Sequence, residues 1–249
     1  MTIADSISKE GERLYRSESA SWFGTDIFLE NFKSEVSNME GYFSYENNGN
    51  YKCIFFSKRD SMPVLCTITF GNSFDSIKAN IDDTKRNFTN EELEYYKIRK
   101  IALKELQRDT NFFQGYKNTS FNLIPIINKT EKKVYILTGT SRSDIVIIGN
   151  DYLLNFDMEN NLISKRKLHA NILTLDTKVE ETNQDGSKNM GNVHNHLPET
   201  GDFITATDIC TFRLYKNLTN WKQQLVISEK FLSIWNCETD KLIIVPTGQ

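Results

Sequence analysis

The sequence predicts an α+β protein in two parts: helices with a β-meander over residues 1–110, then a mixed β-sheet region with helices over 111–249. Three observations lead there. Helical 3.6-residue periodicity is confined to a few segments, while most of the remaining apolar runs are short and strand-like. Aromatic residues make up 12% of the chain, sixteen of them Phe and ten Tyr, which favours a packed interior rich in strands. Turn signals separate the runs at strand-like intervals, and no repeat or low-complexity tract interrupts them.

Taken in order, residues 7–37 carry an apolar stripe of Leu14, Phe23, Ile27, Phe28 and Phe32 at helical spacing. The small, polar stretch Ser17–Ser21 and Gly24 interrupts it, so two short helices are expected there. A meander follows: Gly41–Tyr45, a hairpin turn at Asn48-Gly49, Tyr51–Ser57, a second turn at Lys58–Pro63, and Val64–Phe70. Thr89 with Glu92 three residues on is a capping box. It opens a helix to about Arg108 whose apolar face includes Leu93, Ile98 and Leu106, and which links the two parts.

The second part reads as strands at Phe121–Ile127, Val134–Thr138, Asp144–Ile148 and Tyr152–Phe156, with Gly149-Asn150 and Asn160-Asn161 as breaks. Leu168–Leu175 reads as one further strand that contains His169. Residues 176–191 are charged and Gly/Asn-rich, an expected exposed loop or flap. A strand then runs into His194, Thr205–Asn217 reads as a helix, and Gln224–Ser228 pairs with Phe231–Asn236 as a hairpin, with Leu242–Val245 as one more strand.

Composition narrows the function classes. Net charge is −3, so there is no basic field for nucleic acid or an anionic membrane, and Lys165-Arg166-Lys167 is too short to make one. No apolar window spans a bilayer, and Met1–Ser6 lacks the cationic and apolar pattern of a secretory signal. Four cysteines (Cys53, Cys66, Cys210, Cys237) form no CxxC pair and sit in largely apolar settings. They are expected to be reduced and buried, in a cytoplasmic chain, with a Cys53–Cys66 bridge as the one alternative. Without a secretory signal, the Asn-x-Ser/Thr sequences at Asn87, Asn118, Asn128 and Asn217 are not expected to be glycosylated.

The chemistry concentrates in Val193-His194-Asn195-His196-Leu197-Pro198 and Thr205-Ala206-Thr207-Asp208. All three histidines fall between residues 169 and 196. At the end of a strand, His194 and His196 share a face and Asn195 points away. Two imidazoles so placed can bind one Zn²⁺ ion, and Asp208 in the first turn of the following helix can bring an oxygen ligand; the fourth position would then hold water. The plain alternatives are that Thr205-x-x-Asp208 only caps a helix, that His194 and His196 face a loop without an ion, and that Asp151 is a turn residue. His169 reads as a satisfied strand residue in preference to a fourth ligand.

This order, strand, His-x-His, Pro, Thr-x-x-Asp, helix, hairpin, resembles the JAMM (MPN-type) metalloprotease family over about residues 120–245, and its RadC-like branch in the His-Asn-His triplet. The resemblance implies a mixed-sheet domain of JAMM or cytidine-deaminase-like character. It also implies zinc held by His194, His196 and Asp208, support or oxyanion donation from Thr205, and cleavage of a peptide or isopeptide bond. Two departures stand out: Leu197 precedes the Pro, shifting the loop by one residue, and no Glu-x-x-Gly supplies the family's base. Glu131 is the candidate base and Glu105 the second choice. The competing expectation is a non-catalytic binding or scaffold protein with a structural or vestigial histidine cluster and a peptide or protein partner.

Overall fold

The structure, a computed structural model, describes residues 1–59, 61–74, 76–177 and 191–248. It is α+β. Helix α1 (Ile3–Asn31) is followed by strands β1 (Met39–Asn47), β2 (Asn50–Ser57), β3 (Val64–Phe70) and β4 (Asn80–Asp82), which form one antiparallel meander. Helix α2 (Asn90–Arg108) leads into β5 (Thr119–Ile127), β6 (Lys132–Thr140), β7 (Ile145–Gly149), β8 (Tyr152–Phe156), β9 (Leu162–Lys167) and β10 (Ile172–Asp176). Strands β5, β6, β8 and β9 make a second antiparallel sheet, and β7 pairs with β10 alone. The last unit is β11 (Gly191–Asn195), helix α3 (Ala206–Leu214), β12 (Gln223–Ile227), β13 (Phe231–Asn236) and β14 (Lys241–Pro246), with sheet order β11-β12-β13-β14.

The N-terminal region is one 29-residue helix, where two were expected. Thr2 and Asp5 form its capping box. The serine stretch does not break it, because Ser costs a helix only a few tenths of a kcal/mol and packing outweighs that. Ser17 Oγ donates to Ser44 O at 3.0 Å, and Ser21 and Ser44 hydroxyls meet at 2.8 Å. Small residues let the helix lie close to its neighbours: a Cβ on Gly24 would sit 3.0 Å from Cys53 Cβ, and one on Gly11 only 2.7 Å from Ile209 Cγ2. Thus α1 touches the meander and α3 alike, burying Ala20, Ile27 and Phe28 on one side and Leu14 on the other.

Helix α2 has the capping box read from Thr89 and Glu92. Its buried face joins Tyr95 to the meander core and Ile98 and Ala102 to the β5-β6-β8 core. All four cysteines are free and buried, so the alternative Cys53–Cys66 bridge is absent. Among the described residues, no helix is long and apolar enough to cross a membrane.

One strand expectation changes. Residues 168–175 are not a single strand: β9 ends at Lys167, Leu168–Asn171 turns, and β10 starts at Ile172. The turn is fixed by backbone contacts, Leu168 N to Asp151 O at 2.8 Å and Asn150 N to Asn171 O at 3.1 Å. Gly149 (φ +94°) and Asn150 (φ +56°) both adopt left-handed backbone there. A Cβ on Gly149 would stand 2.4 Å from Asn171 O, so only glycine permits this approach. Most of the expected flap, residues 178–190, lies outside the described residues.

Candidate metal centre

Four side chains from three places in the fold meet at one point. His169 comes from the β9–β10 turn, His194 from β11, His196 from just beyond it, and Asp208 from the first turn of α3. One donor atom of each lies within 4.8 Å of all the others. Asp208 Oδ1 is 3.0 Å from His169 Nε2 and 3.7 Å from His194 Nε2, and Asp208 Oδ2 is 3.7 Å from His196 Nε2. Ligands bound tetrahedrally to one ion at ~2.0–2.2 Å lie roughly 3.3–3.6 Å apart, so these separations bracket what a shared ion needs. The His-x-His reading holds locally: His196 is buried and His194 nearly so, while Val193 and Asn195 between and beside them face outward. His169, read from the sequence as a satisfied strand residue, instead joins the cluster.

Each element delivers its side chain for a local reason. Strand β11 pairs in parallel with β12, His194 opposite Val226, and His196 N extends the ladder to Ile227 O at 2.8 Å. His196 Nδ1 donates to Phe203 O at 2.8 Å, the partner that fixes this tautomer and leaves Nε2 with its lone pair toward Asp208. Asp208 caps α3 with Thr205, and the capping and cluster readings prove compatible. Thr205 N and Oγ1 both donate to Asp208 Oδ2, at 2.9 and 2.8 Å, while Oδ1 faces His169 and His194. Behind His169, Asp151 Oδ2 lies 3.6 Å from Nδ1, and Asp151 Oδ1 accepts from Thr138 N at 2.9 Å. From sequence Asp151 reads only as a turn residue; its signal is a carboxylate directly after the Gly149-Asn150 break.

Burial pushes the Asp151 carboxyl up to about 6. Burial acts on Asp208 in the same direction, but the three imidazoles outweigh it and hold that carboxyl below the usual range. Burial lowers His194, and lowers His196 to about 4, so both rings are neutral at pH 7 and ready to donate lone pairs. For His169 burial is outweighed by Asp208 and Asp151, and its pKa rises. Among the described residues, no Lys or Arg pairs with Asp151 or Asp208. His194 Nδ1 and Nε2, His196 Nε2 and His169 Nδ1 are buried without a hydrogen-bond partner. Unmet buried nitrogens are costly, and a bound cation is what would satisfy those aimed at Asp208. The group fits a metal ion.

No family model, curated protein or solved structure matches the chain.

The two carboxylates named as bases from the sequence do not join it. Glu131 lies in the β5–β6 turn, exposed, where it accepts from Asn128 Nδ2 at 3.2 Å and pairs with Lys133 at 3.0 Å. Glu131 is seven residues along the chain from Thr138, ~23 Å at a strand's rise, at the far end of β6. Glu105 is buried on α2, paired with Lys165 at 2.8 Å and with Arg108. Both were chosen by chain position, and neither strand end nor helix face brings them to the histidines.

Proposed function

We propose that this is a zinc-binding protein whose ion is held by His169, His194, His196 and Asp208 and fixes a surface for a peptide or protein partner. The observation that carries this reading is the fourth donor. Structural zinc sites take four protein ligands, whereas catalytic ones keep a position open for water. The donor set of three imidazoles and a carboxylate suits zinc among common ions. Its outer partners support the same view: Asp151 behind His169, Phe203 O on His196 and Thr205 on Asp208 each hold a ligand in one orientation. An ion so held would tie the β9–β10 turn, β11 and α3 together. Reduced, buried thiols fit a cytoplasmic setting.

A second reading is favoured by two specific observations. They support the JAMM-like order of His-x-His, Thr-x-x-Asp, helix and hairpin: β11 and β12 pair in parallel and are connected through α3, and His194 is the least buried of the four donors. In that reading zinc supplies a water of lowered pKa for cleavage of a peptide or isopeptide bond. His194, His196 and Asp208 then suffice to hold it, and His169 is free to serve the water or substrate.

Metal analysis and thermal unfolding separate these readings. The purified protein is expected to carry about one zinc per chain, lost in a His194→Ala/His196→Ala double variant, with the Tm of stripped protein rising as zinc is added. A four-ligand centre also loses affinity on His169→Ala, as it does on His196→Ala. Zinc retained by His169→Ala, together with peptide or isopeptide cleavage by the native chain, would favour the hydrolase. Stripped protein whose Tm zinc leaves unmoved sinks both.

A further inference from the structure

A second feature, independent of the histidine cluster, lies between α1, the β5–β6 end of the second sheet and α3. It is an open cleft of about 230 Å³. Glu18 forms part of its lining, with Trp22, Asp26, Tyr42, Asn122 and Tyr215 among the others. We propose that this cleft binds an alkylammonium head group, with Glu18 as its counter-charge and Trp22 and Tyr215 as its aromatic walls.

Glu18 is more than nine-tenths buried, at 8% exposure, yet it lines the cleft. Among the described residues, its side-chain hydrogen bond comes from the neutral Asn122 Nδ2, at 3.1 Å, and no Lys or Arg lines the space. Carboxylates this buried are ordinarily paired with a cation, as Glu92 is with Arg86 at 2.6 Å in this same chain. With no such partner, burial alone raises the Glu18 carboxyl to about 7. A second carboxylate, Asp26, lines the same space. The cleft thus holds two carboxyl groups and, among the described residues that line it, no cation.

The walls specify the kind of cation. Trp22 and Tyr215 stand edge to face, ring centroids 5.7 Å apart, and Tyr42 adds a third ring. Aromatic rings that line the same space as a carboxyl group favour an organic ammonium, which is more easily desolvated than a metal ion and gains from the ring quadrupoles. The volume falls below the ~300 Å³ at which pockets for whole drug-sized ligands begin, so a head group fits and a large molecule does not. Trp22 is 39% exposed, which leaves the outer wall open to an approaching chain.

Titration calorimetry near pH ~8, above the Glu18 carboxyl, provides the test, with Nα-acetyl-lysine methylamide and tetramethylammonium chloride as separate probes. At least one probe is expected to bind saturably. Binding should weaken at least ~10-fold in Glu18→Gln and in Trp22→Leu, and Nα-acetyl-norleucine methylamide, the same shape without charge, should not bind. Binding of the lysine probe alone identifies a primary ammonium, and binding of tetramethylammonium alone a quaternary one. The proposal is overturned if neither ammonium binds, if the norleucine probe binds equally, or if Glu18→Gln binds as the native chain does. Should Glu18→Gln unfold, the partly exposed Trp22→Leu decides by the same criterion.

Discussion

Asp208 satisfies two demands at once, and the cluster depends on how its two oxygens divide them. Oδ2 accepts from Thr205 N and Oγ1 in the helix cap, which fixes the side-chain rotamer, and lies 3.7 Å from His196 Nε2; Oδ1 faces His169 and His194. Asp151 performs the same service one step back, facing His169 Nδ1 while anchored on Thr138 N. Outer partners of this kind typically change metal affinity 10- to 100-fold. Asp151→Asn keeps the acceptor for Thr138 and removes the charge behind His169. It is expected to weaken zinc binding by ~10-fold or more, read by competition with a chromophoric chelator, while the apo protein keeps its fold. Unchanged affinity would mean that Asp151 has no part in the centre.

At the scale of elements, α1 and α3 meet closely at Gly11 of α1, beside the helix that carries Asp208. Ile209, one residue after Asp208, occupies the space a Gly11 side chain would need. Elsewhere in a helix Gly→Ala gains up to ~1 kcal/mol from propensity. At Gly11 the added methyl meets Ile209 Cγ2 at 2.7 Å and Cβ at 2.8 Å, and overpacking of this kind costs ~1–3 kcal/mol. Gly11→Ala is therefore expected to lower stability in urea unfolding, and Ile209→Ala in the same chain to recover part of the loss as a coupling term. A Gly11→Ala protein more stable than native would show that α1 has room to move off α3. The same close packing explains why the serine stretch of α1 stays helical. Sequence periodicity reads those serines as a gap, because the partners that bury them, Ser44 above all, belong to another element.

Across the whole molecule, charged ties join the second sheet to α2. Lys132 is buried on β6 and pairs with Glu94 of α2 at 2.6 Å, while also donating to Met158 O and Asn160 Oδ1 at 2.7 Å each. The hydrogen bond from Lys132 and those from Lys97 and Asn160 hold the Glu94 carboxyl down at about 2, from 4.5. A carboxyl depressed in the folded state adds stability that is fully present above its unfolded pKa and is lost as pH falls through the folded one. Glu94 thus supports the fold at neutral pH and withdraws that support between about 4.5 and 2. Glu94→Gln is expected to be less stable than native at neutral pH and to lose less between those limits, measured as urea midpoint against pH. Parallel curves for the two proteins would remove Glu94 from the acid response.

What the chain's own order determined is local. The capping boxes at Thr89 and Thr205, the hairpin at Asn48-Gly49, the strands around Tyr152–Phe156 and Phe231–Asn236, and the common face of His194 and His196 all follow from neighbours in sequence. Such features depend on backbone geometry that repeats every two or 3.6 residues, so spacing alone reveals them. Only the tertiary structure decided that α1 runs unbroken, that His169 sits in a turn and joins the other two histidines and Asp208, that Asp151 stands behind it, and that Glu131 and Glu105 stay away. Those outcomes turn on which faces of distant segments meet. Periodicity states that a face exists; packing between elements selects its partner.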